Sequence, residues 1–158
     1  MCAIFFPLLI ILQSCETTNR PSQVHDTGLI IQAAENFFVS LLKKDYLQTW
    51  GSITEKSRRT IISDVLKYHK GPDSIRAEIE SDFREGKGAA ISYWDAYVFH
   101  FDPNMALKDS KWEIGKVSGD YAEIILTYKK SERPAILKLY REGGAWRFGL
   151  VESFWSRK

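Results

Sequence analysis

The chain has 158 residues, 44% of them apolar and 27% charged, and its 22 Lys and Arg nearly balance 20 Asp and Glu for a formal charge of +2. The basic pairs Lys43-Lys44, Arg58-Arg59 and Lys129-Lys130 are scattered among acids, which fits solvated faces and argues against a nucleic-acid-binding surface. Cys2 and Cys15 are the only cysteines, and neither HExxH, HxH, GxSxG, a Walker loop nor GxGxxG occurs. No disulfide framework, metal site or bound cofactor is therefore expected.

The N-terminal run Ala3–Leu12 is apolar but interrupted by Pro7, and it covers about half of the ~20 residues that a membrane-spanning helix needs. It closes on Leu12-Gln13-Ser14-Cys15, and this stretch resembles a bacterial lipoprotein signal peptide, whose lipobox reads aliphatic, variable, small, cysteine. No Lys or Arg precedes the apolar run, where that family carries a basic segment. The resemblance implies that residues 1–14 are removed and that a diacylglycerol is joined to the sulfur of Cys15. It also implies that the mature protein is held at the cell envelope by lipid, facing the periplasm or the exterior. Residues 15–26 are polar and lack a hydrophobic period, so they read as a tether, and 27–158 as one domain long enough to bury its own core.

Within that domain Thr27 is a candidate cap, after which Ile30, Ala33, Ala34, Phe37, Phe38 and Leu41 recur with helical spacing up to Lys43-Lys44. Asp45-Tyr46 turns into a short segment bearing Leu47 and Trp50, ended by Gly51. Thr54 starts a further helix, whose stripe Ile61, Ile62, Val65 and Leu66 runs down to His69. Gly71-Pro72-Asp73 breaks the chain, and Ile75, Ile79 and Phe83 sit four apart on another helix. Gly86-Lys87-Gly88 stops that helix; it lacks the strand-before, helix-after setting of a phosphate loop. Residues 89–102 fit a helix through Trp94, Tyr97, Val98 and Phe101, although Tyr97–Phe101 favours a strand on propensity. Helix is the reading preferred here, and Asp102-Pro103-Asn104 ends it.

Four strands follow. Trp112 and Ile114 alternate with polar residues up to Val117; Ala122, Ile124, Leu126 and Tyr128 share one face of the second strand; Ala135, Leu137 and Leu139 share one face of the third. Glu142-Gly143-Gly144 is a hairpin signal, since its glycines accept positive φ. The fourth strand carries Trp146, Phe148 and Leu150 in phase and is expected to run on to Trp155. The class is therefore α+β, a helical first half followed by a four-stranded antiparallel meander with one face under helices.

The long first helix followed by Asp45-Tyr46 and Trp50, further helices, and a closing sheet whose hairpin reads Glu142-Gly143-Gly144-Ala145-Trp146-Arg147-Phe148 resembles the nuclear transport factor 2-like superfamily. That resemblance, over about Thr27 to Trp155, implies a cone in which a curved sheet wraps the first helix and leaves a pocket. It would put Tyr46, Trp50, Trp94, Trp112 and Phe148 among the pocket-lining candidates. Members include ketosteroid isomerase, scytalone dehydratase and polyketide cyclases, so the fold does not name a reaction.

Two acid–base arrangements are written in the residues. His100, flanked by Phe99 and Phe101, is a candidate base with Asp95. Counting by twos from Trp146 brings Glu152 onto the face of Phe148, Leu150 and Phe154, where it would be a proton donor, acceptor or ligand anchor; the alternative is that Gly149 introduces a bulge or the strand ends before residue 152, which leaves Glu152 solvated or paired with an arginine. The expected function is an envelope lipoprotein that binds a small apolar ligand or an envelope protein. The alternative is a pocket enzyme doing acid/base chemistry on a hydrophobic carbonyl compound.

Overall fold

The computed structural model describes residues 21–70 and 72–155; the segment 1–14, Cys15 and the tether up to residue 20 lie outside them. The order is α1 (Pro21–Leu42), α2 (Tyr46–Ser52), α3 (Glu55–Tyr68), a 3-10 turn (Asp73–Ile75), α4 (Arg76–Glu85), α5 (Ala89–His100), α6 (Pro103–Leu107), β1 (Ser110–Ser118), β2 (Tyr121–Tyr128), β3 (Ala135–Glu142), β4 (Ala145–Gly149) and α7 (Leu150–Phe154). The protein is α+β, helical in its first half, and its strands form one open antiparallel meander in the order β1-β2-β3-β4. Among the described residues no helix is long and apolar enough to cross a membrane.

Helix α1 begins at Pro21, six residues before the Thr27 cap that the hydrophobic pattern suggests. Proline suits a first helical turn because its missing N–H would have no partner there. Ile30, Ala34, Phe37, Phe38 and Leu41 are all fully buried, the stripe that their spacing predicts. The helix closes in a left-handed turn at Lys44, φ 56°, with the Asp45 amide donating to the Ser40 carbonyl at 2.9 Å and the Lys44 amide to Leu41 at 3.0 Å. Asp45 at once caps α2, its carboxylate accepting from the Gln48 amide at 3.0 Å.

One face of the sheet buries Ala122, Ile124, Leu126, Leu137, Leu139, Trp146 and Phe148, and α1 and α6 pack against the sheet. The Phe148 ring sits 4.5 Å from Phe37 and 5.6 Å from Phe38 between centroids, while Trp94 lies edge-on to Phe37 at 6.3 Å. The segment between α2 and α3 joins the sheet as well: Ile53 makes a parallel bridge to Phe148, and the Thr54 amide donates to the Phe148 carbonyl at 3.0 Å. The β3–β4 hairpin turns through Gly143 and Gly144, φ 58° and 81°, the pair of positive values that a tight two-residue turn demands. At the other end of the sheet the ladder of β1 with β2 slips between Ile114 and Val117.

The fourth strand is shorter than expected. It ends at Gly149, and Leu150–Phe154 form α7 instead of continuing to Trp155. Leu150 and Val151 are both buried, and two successive buried residues cannot share one face of a strand. A turn of helix hides both.

The α4–α5 corner rests on one carboxylate. Asp82 accepts from the Ala89 amide at 2.8 Å, capping α5, while Gly88 passes beneath it with φ 50°. A Cβ at position 88 would stand 2.1 Å from the Asp82 Oδ2 atom. Gly88→Ala is therefore expected to strain the backbone and displace the cap, costing about 2–4 kcal/mol in urea unfolding. Wild-type stability in that variant would show that the corner tolerates a side chain.

Candidate functional site

The aromatic residues proposed as pocket lining fill the core instead. Trp94 and Phe148 are fully buried, and Tyr46 and Trp50 nearly so. Trp50 packs on Phe83 at 4.6 Å. Trp112 is half-buried, edge-on to Phe38 at 5.9 Å, and its indole N–H donates to the Ala106 carbonyl at 2.8 Å. Where the cone-shaped family would leave a cavity under the sheet, these rings and those of α1 occupy the space, because close-packed aromatics bury the most apolar surface.

A groove opens elsewhere. Helix α5 presents Ala89, Ser92, Tyr93, Ala96, Tyr97 and His100, a stripe at helical spacing, toward Asp64, Val65, Tyr68 and His69 of the last turns of α3, and the space between is about 690 Å³. Ala89, Ser92 and Ala96 are too small to close it. That size falls in the range of small-ligand cavities, and the lining is mostly apolar, as in such sites. Tyr68 stands at the groove almost fully exposed.

The polar groups of this groove are uncommitted in one informative way. Neither the Tyr93 nor the Tyr97 hydroxyl has a hydrogen-bond partner among the described residues, and both side chains are partly buried against the core. Burial pushes both phenols up from their ordinary value, and Tyr93 is raised further by Tyr97 and by the Asp64 carboxylate. Both hydroxyls therefore stay protonated and can donate to an acceptor on a ligand.

The sequence-derived acid–base candidates are not brought together. His100 lines the groove, but Asp95 lies five residues away on α5, about 140° around the helix axis. Asp95 instead accepts from Lys44 at 2.9 Å and from the Tyr46 hydroxyl, clasping α5 to the junction of α1 and α2. The Tyr46 hydroxyl and then the Lys44 ammonium hold the Asp95 carboxyl below the usual carboxylate range. Burial and the Asp95 carboxylate push the Tyr46 phenol up.

Glu152 sits on α7 and accepts from Thr54 Oγ1 at 3.0 Å and from Ser57 Oγ at 2.7 Å. Ser57 in turn accepts from the Val151 amide at 3.1 Å, and Thr54 caps α3 by accepting from the Ser57 amide at 3.1 Å. The carboxylate is a bolt between the start of α3 and the end of the chain. It also borders a small hollow of about 240 Å³ with Lys56, Lys138 and Trp155.

The groove residue Tyr93 carries no signal of its own in the sequence, but the spacing of Tyr93, Tyr97 and His100 marks a second face of α5 beside the buried Ala90 and Trp94. Among the described residues no group of three His, Cys, Asp or Glu stands close enough to hold a metal ion. Comparison with protein-family models, with curated proteins and with solved structures finds no match to this chain.

Replacing Glu152 by Ala leaves the buried Ser57 hydroxyl short of an acceptor, while Thr54 still donates to Ser57 Oγ at 2.9 Å, and is expected to cost about 1–3 kcal/mol of stability. Glu152→Gln, which keeps one acceptor oxygen, should cost less. Equal stability of wild type, Gln and Ala variants in thermal unfolding would contradict the bolt.

Proposed function

We propose that the chain is a lipid-anchored protein of the cell envelope, attached through Cys15, whose domain binds a small apolar ligand in the groove between α3 and α5. The observation that carries the binding reading is that groove: about 690 Å³, apolar, with two protonated phenols that find no acceptor among the described residues. Both tyrosines are partly buried, and a ligand carbonyl, ester or ether in the groove would accept from their hydroxyls. The lipobox-like Leu12-Gln13-Ser14-Cys15 supports the anchoring, since two or more acyl chains on one cysteine hold a protein at a bilayer stably.

Acid–base chemistry on a hydrophobic carbonyl compound is the second reading, and it draws on His100 in the same groove. His100→Ala separates the two. A binding protein keeps its affinity within a few-fold, whereas an enzyme loses turnover with binding intact.

The anchor is tested by fractionation. Cys15→Ser should leave the membrane fraction or accumulate unprocessed; a variant that is processed and membrane-bound like wild type overturns the lipoprotein reading.

The groove is tested with N-phenyl-naphthylamine, an apolar fluorophore. Ala96→Trp, which fills the trough from an exposed helical position, should abolish its fluorescence gain while the melting temperature holds. Tyr97→Phe should leave stability within about 0.5 kcal/mol, since its hydroxyl has no partner among the described residues. It should also weaken binding of an ester-bearing analogue by the ~1 kcal/mol of one hydrogen bond. Unchanged binding in Ala96→Trp would rule out the groove.

A further inference from the structure

A second concavity, about 500 Å³, lies between α1, α2 and the β3–β4 hairpin, and its chemistry is the opposite of the first. Gln32 and Asn36, one helical turn apart on α1, and Gln48 on α2 present carboxamides to it. None of these carboxamides has a hydrogen-bond partner among the described residues. Each offers a carbonyl acceptor and an NH₂ donor side by side.

The charge of the cleft is concentrated on one residue. Arg141 is neutralised by Asp26 at 3.0 Å and Asp120 at 3.6 Å, and lies over the Trp146 ring at 4.8 Å. Arg147 has no carboxylate within ion-pair distance among the described residues; its guanidinium donates to the Gly51 carbonyl, which fixes its direction and leaves further N–H groups uncommitted. Trp146, itself buried at 8% exposure, adds an indole N–H that has no partner.

These groups specify a ligand. An apolar molecule would strand the carboxamides without partners, which a polar site penalises strongly. A polyanion would need several uncommitted cations, and the cleft supplies one. Adjacent donors and acceptors suit neighbouring hydroxyls, and a pinned guanidinium suits a planar carboxylate, which it can grip with two parallel hydrogen bonds. We propose that this cleft binds an acidic saccharide, its ring hydroxyls held by Gln32, Asn36 and Gln48 and its carboxylate by Arg147. The site is independent of the α3–α5 groove and of the lipid on Cys15.

The test uses the full chain in detergent and three probes: galacturonate, which carries a single carboxylate, its methyl ester, which keeps the hydroxyls but loses the charge, and inorganic phosphate. Galacturonate is expected to bind with a dissociation constant of ~1 mM or tighter. The methyl ester should bind about tenfold more weakly, and Arg147→Gln should lower affinity for the acid by the same factor. Asn36→Ala removes an exposed side chain with no hydrogen-bond partner among the described residues, so it should fold normally and weaken both saccharides. Ala96→Trp should change neither. The proposal is overturned if the acid shows no binding at ~1 mM, or if the methyl ester or phosphate binds as tightly as the acid. It is equally overturned if a normally melting Asn36→Ala variant binds like wild type.

Discussion

Phe148 joins the two halves of the molecule twice, once through its ring and once through its backbone. The ring lies against Phe37 and Phe38 of α1, so the sheet is seated on the longest helix by aromatic packing. Its carbonyl accepts from Thr54, and the residue pairs with Ile53 on one side and Leu139 on the other. A buried phenylalanine of this kind accounts for about 3–5 kcal/mol when truncated, a large fraction of the margin of a domain this size. Because the same residue also places Thr54, the start of α3 and the α7 bolt depend on its position.

Glu152 and Asp95, the carboxylates that look like acid–base candidates in the sequence, join separate elements, and so does Asp82. An ionised carboxylate only accepts hydrogen bonds, so it can collect hydroxyls and amides from segments far apart in the chain. Glu152 gathers Thr54 and Ser57, Asp95 gathers Tyr46 and Lys44, and Asp82 takes the first amide of α5. In each case the partner comes from another element, which is why the spacing of residues within one element does not reveal the role.

What the sequence made legible follows the same division. Buried stripes and glycine-bearing hairpins are local properties, and α1, α3, the helical reading of 89–102 and the four strands all stand as their periodicity suggests. The end of β4 does not, because Trp146, Phe148 and Leu150 keep strand phase up to the residue where Val151 breaks it, and Gly149, where the strand ends, is the one local sign of the change before Val151. The groove escapes a linear reading for a different reason. It exists where Ala89, Ser92 and Ala96 fail to fill the distance to α3, and a gap between two helices is a tertiary property. The resemblance to a cone-shaped fold implied a pocket lined by Trp94 and Phe148, yet both are fully buried in the core.

The two edges of the sheet are treated unequally. The outer side of β4 is met by Ile53, whereas β1 faces solvent along its free side with no strand beside it. An open edge of that kind can template a strand from another chain. Here the register slip between Ile114 and Val117 breaks its flatness, and Lys111, Glu113 and Lys116 stand exposed along it. A second copy would have to desolvate those charges and match an interrupted ladder to add itself to the sheet. At high local density such a chain keeps its sheet from growing into its neighbours.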